Sequence, residues 1–442
     1  MNEFFIKSSF DEIELLEDVS ISTIESVIKE YKKTIKNKKI ELEYSSIIKS
    51  IIDHNLKQKK LARFLNKKFK DGKISDYINI YKTQDQDYKL EIIKYDKTFD
   101  LEKGLSSFDK NIYKFEFVRN SPIVNIVTLY ESFVRRLITY ECLEGNYDLI
   151  NDEKINFSML ESLNYDNESI KQFMIESYCD TKLFGEKKRI RGIISTLAID
   201  CNDSLDLIDD FDEIYFRRNM YVHSIPNLTT DYLSLPDRIK GKWIKDGQLI
   251  NSPEYFKHAF DTLNKIYLLI LIKKYLYKEQ KSDNQKSANM EIISKIIYEK
   301  YYYEGRYNIA KFAYFQLKNL KWIEAIDRYY YFVNYMVCLK YTDSETLRIE
   351  LNKWNTSTDA TIFKIAKKLI ENDYTNINSM ILEVLKENDE FKELNKDEIP
   401  FFISKEDILN WPLFKDYRKT EFFKDLNTCE AFNSHIKITN VQ

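Results

Sequence analysis

The hexapeptide Arg218-Asn219-Met220-Tyr221-Val222-His223 collects the residue types that phosphate chemistry needs when no metal takes part. A neutral imidazole can remove the proton from a ribose 2′-hydroxyl, and a protonated one can return a proton to the departing 5′-oxygen. A guanidinium offers a fixed fork of donors to the phosphate oxygens as charge builds on them. Such a reaction leaves a 2′,3′-cyclic phosphate and a 5′-hydroxyl. His223 is one of four histidines in 442 residues, which makes its place beside an arginine worth pursuing. Other chemistries lack their residues. The chain has no G-x-x-x-x-G-K-[ST], G-x-G-x-x-G or G-x-S-x-G. His54, His258 and His435 stand alone, without a second His or Cys at metal-ligand spacing, and read as surface or packing residues. No metal and no cofactor are expected. Acidic residues crowd Glu371–Glu398 unpaired, as on a solvated helical surface.

A helix must position the hexapeptide. The pattern predicts one from Leu205 to His223, closed off by Pro226. At 100° per residue Phe211, Ile214, Tyr215 and Val222 form an apolar stripe, and Arg218 falls within it. Asn219 and His223 stack on its flank, with Phe216 and Met220 on the far side. An arginine centred on an apolar face is costly unless it has a partner or lines a cleft. Arg218 and His223 lie about 140° apart, so one ideal helix cannot aim both at one atom. Either the helix end turns the histidine, or a neighbouring helix or second subunit completes the site. A symmetric dimer would bring two Arg and two His to one cleft, supplying both base and acid. Arg217 is then a second phosphate contact or simply exposed.

The elements around that helix are also helical by pattern. Ser121-Pro122 leads into Ile123, Ile126, Val127, Tyr130, Val134 and Leu137 at helical spacing. Further helices are predicted over 167–178, 186–199 and from Pro253 to Tyr277. Helices of this length with short connections make a bundle. In this setting the sequence resembles the HEPN superfamily, whose hallmark is Arg, a polar residue and then His on a late helix of a four- or five-helix bundle. Arg218-Asn219-x-x-x-His223 matches it, and Val222 before the histidine is typical. The resemblance covers roughly residues 106–280. It implies a metal-independent endoribonuclease, dimeric with the site at the interface, of the toxin–antitoxin, abortive-infection or CRISPR-linked kind. It also implies an acidic residue on the first bundle helix, where Leu129-Tyr130-Glu131-Ser132-Phe133-Val134 places Glu131. The plainer role for Glu131 is an i,i+4 pair with Arg135 on a solvated face. For the whole constellation the alternative is a non-catalytic bundle that only dimerises or binds a partner, its Arg, Asn and His forming a buried network.

Two basic clusters flank the hexapeptide. Lys187, Lys188, Arg189 and Arg191 precede its helix, and Arg238, Lys240 and Lys242 follow it with Trp243 among them. They would meet RNA phosphates while a base stacks on Trp243, or they are ordinary surface lysines and arginines.

Composition sets the frame. Eight Gly and six Pro leave few tight turns, which favours long helices over many strands. The 32 Tyr and 28 Phe accompany abundant Ile, Lys and Asn, a bias expected of an A/T-rich genome, so individual aromatics are not read as binding residues. Net charge is −3, yet Lys29–Lys73 carries 15 Lys/Arg against 5 Asp/Glu. That window is a polyanion-binding face or the solvated face of a Lys-rich helix. Cys142, Cys179, Cys201, Cys338 and Cys429 are scattered, as in a reduced cytoplasmic protein. Met1-Asn2-Glu3 opens no signal peptide, and Ile266–Ile272 is too short to span a bilayer.

The expectation is an all-α chain in three parts. Residues 1–105 form a basic, mainly helical domain, with helices at 21–35 and 43–69 and a strand or frayed helix at 78–99. Residues 106–280 form the bundle. Residues 281–442 form a C-terminal helical domain beyond a polar linker at 278–289. There Ala313, Ala325 and Tyr329 resemble the small, small and aromatic positions of a tetratricopeptide hairpin, and Trp411–Arg418 resembles the end of such an array; an unrelated helical domain is the alternative. Expected partners are RNA, a second copy through the bundle, and an antitoxin or trigger protein held by the flanking parts, with no membrane.

Overall fold

One helix sits at the centre because about two turns of it are apolar on every side. Pro253–Tyr275 opens with the Ser252 side chain accepting the amide of Tyr255, and a proline in its first turn. The run Ile266–Ile272 then has no polar face to turn to solvent, so 16 of the 23 residues are buried. The computed structural model describes residues 6–20, 22, 78–82, 88–92, 101–147, 150, 154–180, 190–223, 228–245, 248–249, 252–277, 283–356, 360–394 and 403–434, with backbone alone for 78–82, 88–92, 101–119, 196, 245, 248, 283–284, 389–394 and 434. The basic window at 29–73, the helices expected at 21–35 and 43–69, His54, His435 and Pro226 lie outside these residues.

The chain is all-α, with two short antiparallel hairpins. Helix α1 covers residues 6–20. Strands β1 (Ile78–Lys82) and β2 (Tyr88–Ile92) pair with Ile80 opposite Leu90. The stretch expected as strand or frayed helix is thus a hairpin, in keeping with the apolar alternation of both segments. Then come α2 (Leu101–Leu143), α3 (Asn167–Tyr178), α4 (Ile190–Thr196), α5 (Leu205–Val222), α6 (Asp237–Trp243) and the two-residue strands β3 (Ile244–Lys245) and β4 (Gln248–Leu249). The central helix is α7. Beyond it lie α8 (Asp283–Ile296), a π-helical turn Ile297–Tyr303, α9 (Tyr307–Lys318), α10 (Ala325–Thr342) and, further on, α11 (Lys405–Asn410).

Helix α5 packs against both α2 and α7, α4 against α5, and α3 against α2, which makes the bundle. On its other side α7 meets α8 and α9. Helix α1 joins the same core: Phe10 sets its ring edge-on to Tyr267 and Tyr301 at 5.8 and 6.1 Å. Its acidic side is held by Arg136 on Glu12 (2.6 Å), Lys300 on Asp11 and Glu14 (2.6 Å each) and Arg306 on Glu17 (2.9 Å).

The expected boundaries do not coincide with breaks in this packing. Position 105/106 falls inside α2, which also encloses Pro122 instead of starting at it. The polar stretch at 278–289 is no continuous linker, because α8 begins at Asp283 and buries Lys286 and Asn289. Lys286 shows how composition misleads: its stem packs while its ammonium lies 5.8 Å from the Trp322 ring. Helices α9 and α10 do form a hairpin. Ala313 is buried, but Ala325 is exposed at the first turn of α10, and Tyr329 stacks on Phe363 at 4.5 Å. No described helix is long and apolar enough to cross a membrane.

Candidate functional site

Helix α5 carries two arginines in succession, and the structure assigns them opposite surroundings. Arg217, expected outside, is fully buried. Its Nε and Nη2 donate to Glu213 Oε1 at 2.8 and 2.5 Å, and Nη2 also donates to the Tyr232 hydroxyl at 3.1 Å. The Tyr232 and Tyr255 hydroxyls donate to the two oxygens of Glu213, the latter at 2.7 Å, and the Tyr255 ring lies 3.7 Å under the guanidinium. Burial draws the arginine's pKa down, but Tyr255, Glu213 and Tyr232 outweigh it and raise the value. Arg217 is therefore no phosphate contact. Phe211 and Ile214 of the expected apolar stripe are buried, but so are Glu213, Phe216, Arg217 and Met220 on the opposite face, while Val222 is 49% exposed. A Glu four residues before an Arg was the sequence signal for this pair.

Arg218 lies at the edge of the core, half-buried, opposite α2. Its Nη1 donates to Asn219 Oδ1 at 2.9 Å and its Nη2 is 3.6 Å from Glu131 Oε1. Its Nε is buried with no hydrogen-bond partner among the described residues. The Tyr215 ring, expected only as part of the apolar stripe, has its centroid 5.8 Å from the guanidinium. Burial raises the pKa of Glu131 above the ordinary carboxyl value, and the pull of Arg218 and Arg135 offsets it only in part. Three of the four expected chemical residues, Glu131, Arg218 and Asn219, thus meet across the α2–α5 contact. Arg135, the solvated partner considered for Glu131, pairs with Asp180.

His223 ends the helix. Its amide donates to Asn219 O at 3.0 Å, its backbone leaves helical geometry (φ −90°, ψ 6°), and it is exposed. Among the described residues its imidazole makes no hydrogen bond with Arg218, Asn219 or Glu131. The helix end does not turn the histidine onto the arginine.

The flanking cations are engaged within the chain. Arg191 pairs with Asp209 and, at 3.7 Å, with Asp212. Arg238 pairs with Asp206 (3.1 Å), Asp209 (3.6 Å) and Asp210 (2.7 Å). Lys240 is 3.0 Å from Asp237 and donates to Leu233 O. These aspartates on α5 and α6 neutralise the cations expected to guide RNA. Trp243 is buried edge-on to Tyr255 at 5.0 Å, with Lys242 over its ring at 4.5 Å, so no base can stack there. Lys187, Lys188 and Arg189 lie outside the described residues. His258 packs 5.1 Å from Trp243 and 3.8 Å from Asp210; burial, aided by Lys242, lowers its pKa to about 4, which keeps it neutral. Among the described residues no three His, Cys, Asp or Glu side chains cluster closely enough to hold a metal ion. Cys142 and Cys201 are pushed by burial to about 11 and Cys179 to about 12, which makes them packing thiols.

No family model matches the chain, and neither the curated proteins nor the solved structures contain a match.

Proposed function

We propose that the chain is an endoribonuclease of the HEPN kind, a cytoplasmic toxin or antiphage abortive-infection effector. The observation that carries this reading is Arg218: a half-buried cation steadied by Asn219 and Glu131, with a buried Nε donor still unused. A buried donor left without a partner calls for an explanation, and a binding or catalytic role is one. Arg218 would hold the scissile phosphate, and Asn219 would keep its fork oriented. His223 would take the 2′-hydroxyl proton as the 2′-oxygen bonds to phosphorus. As the bond from phosphorus to the 5′-oxygen breaks, a protonated His223 from a second copy would give that oxygen its proton. The exposed position of His223, beside the exposed Val222, leaves room for the second copy. An antitoxin or trigger protein would act through the parts outside the bundle.

One observation favours the non-catalytic alternative, a bundle that dimerises and binds a protein partner: Arg191, Arg238 and Lys240 are spent on the chain's own aspartates. Incubating wild type, Arg218→Ala and His223→Ala with RNA in EDTA decides between them. The nuclease reading expects cyclic-phosphate ends from wild type, with each variant down roughly 10²–10³-fold, the loss usual when one transition-state donor is removed. Equal inactivity of all three proteins rejects it.

A further inference from the structure

A second concentration of chemistry lies in the C-terminal helices, where the π-helical turn, the start of α9, the end of α10 and residues 411–420 converge. Tyr307 and Tyr341 stack at 4.5 Å with their planes 14° apart. Lys415 places Nζ 5.3 Å from each of those ring centroids and donates to the Tyr307 hydroxyl at 3.4 Å. Gly305, at φ +76°, turns the chain between Tyr303 and Tyr307 beside that ammonium. Tyr303 is 53% exposed, its ring 6.5 Å from that of Tyr298.

The charges here do not cancel. Asp416 serves three donors at once: the Tyr341 hydroxyl (2.8 Å), Lys340 (3.0 Å) and Lys419 (3.3 Å). Asp407, near Tyr298, is engaged in capping α11 through Ser404. Lys415 and Arg418 have no carboxylate partner among the described residues. Arg418 donates Nη1 to the carbonyls of Ile408 and Trp411 at 3.0 Å each, where α11 ends, the second also accepting the Phe414 amide. Those bonds fix the guanidinium, while its Nε and Nη2 make no hydrogen bond among the described residues.

An exposed aromatic face beside preset, carboxylate-free cations suits a ligand that is flat at one end and anionic at the other. We infer that this surface binds single-stranded nucleic acid, with backbone phosphate on Lys415 and Arg418, the Asp416-paired Lys419 at their edge, and a base on Tyr303. An acidic peptide would use the cations and leave the ring idle. The surface uses none of the residues of the α2–α5 cluster and does not depend on cleavage.

The test uses the full chain and a fluorescent single-stranded oligodeoxynucleotide, which has no 2′-hydroxyl and so survives any cleavage by 2′-attack. Anisotropy titrations compare wild type with Lys415→Glu/Lys419→Glu and with Tyr303→Ser, all changed at exposed positions and each first shown to melt as wild type does. The charge variant should weaken binding at least tenfold and flatten its salt dependence by about two counterions. Loss of the ring should weaken it roughly tenfold with the salt slope unchanged. No binding by wild type, equal binding by both variants, or displacement of the probe by oligoglutamate as readily as by unlabelled oligonucleotide overturns the inference.

Discussion

Along α5 the two adjacent arginines differ in how fully the fold satisfies them. Arg217 points into the core and is met by a carboxylate four residues back, the Tyr232 hydroxyl and the face of the Tyr255 ring. Arg218 points toward α2 and is met only in part. A similar contrast runs along α2. Glu141, buried, accepts from Lys274 and Tyr275 at 2.9 Å each, whereas Glu131 has the more distant Arg218. A buried charge completed by its neighbours holds a fold together. A charge left incomplete at the edge of the core is one to which a ligand can add something.

The sharpest way to break this comparison is to remove Glu213. Glu213→Ala leaves the Arg217 cation uncompensated in the core and should cost about 3–5 kcal/mol of stability, read as a lowered urea midpoint. Replacing both residues by apolar ones of similar volume should recover most of that loss, since the penalty comes from the orphaned charge. A Glu213→Ala protein that unfolds with the wild-type midpoint would remove Arg217 from the structural side of the division.

Arg218→Ala should behave otherwise. Its carboxylate partner is 3.6 Å away and both side chains keep about a fifth of their surface in solvent. Loss of such a pair costs roughly 1 kcal/mol or less. The variant should stay folded at wild-type midpoint within that margin, so any loss of RNA cleavage reports on chemistry. Destabilisation matching that of Glu213→Ala would instead make Arg218 a second structural arginine.

How much of this could be read from the sequence follows the physics of each signal. Local signals read well: helical periodicity placed helices at 167–178 and from Leu205 to His223, and Pro253 marked the start of α7, while the family resemblance put Glu131 near the arginine that it meets. Signals that depend on distant residues did not. Which of two neighbouring arginines faces the core was decided by Tyr232 and Tyr255, 15 and 38 residues further along, which helix periodicity cannot see. The flanking cations looked available because their aspartates lie on another turn or another helix. The polar stretch at 278–289 read as linker since composition does not show that Lys286 and Asn289 would be buried, Lys286 beside the Trp322 ring.

The smallest expected effect separates the two glutamates by pH. Glu141 feels burial first, which raises its pKa, but Lys274, Tyr275 and Asn146 outweigh it and the value ends below the ordinary 4.5. A lowered folded-state pKa adds stability that is present above 4.5 and disappears as pH falls through the folded value. Glu131 ends above 4.5, so its contribution is present below 4.5 and lost as pH rises through the raised value. Glu141→Gln should therefore be less stable than wild type at neutral pH, and the gap should close on acidification. Glu131→Gln should match or exceed wild type at neutral pH and lose that advantage below 4.5. Thermal melts of the three proteins from neutral pH to below 4 measure both trends. If the two variants shift in the same direction across that range, Glu131 is as well satisfied as Glu141, and the incomplete charge on which the α2–α5 site rests is not there.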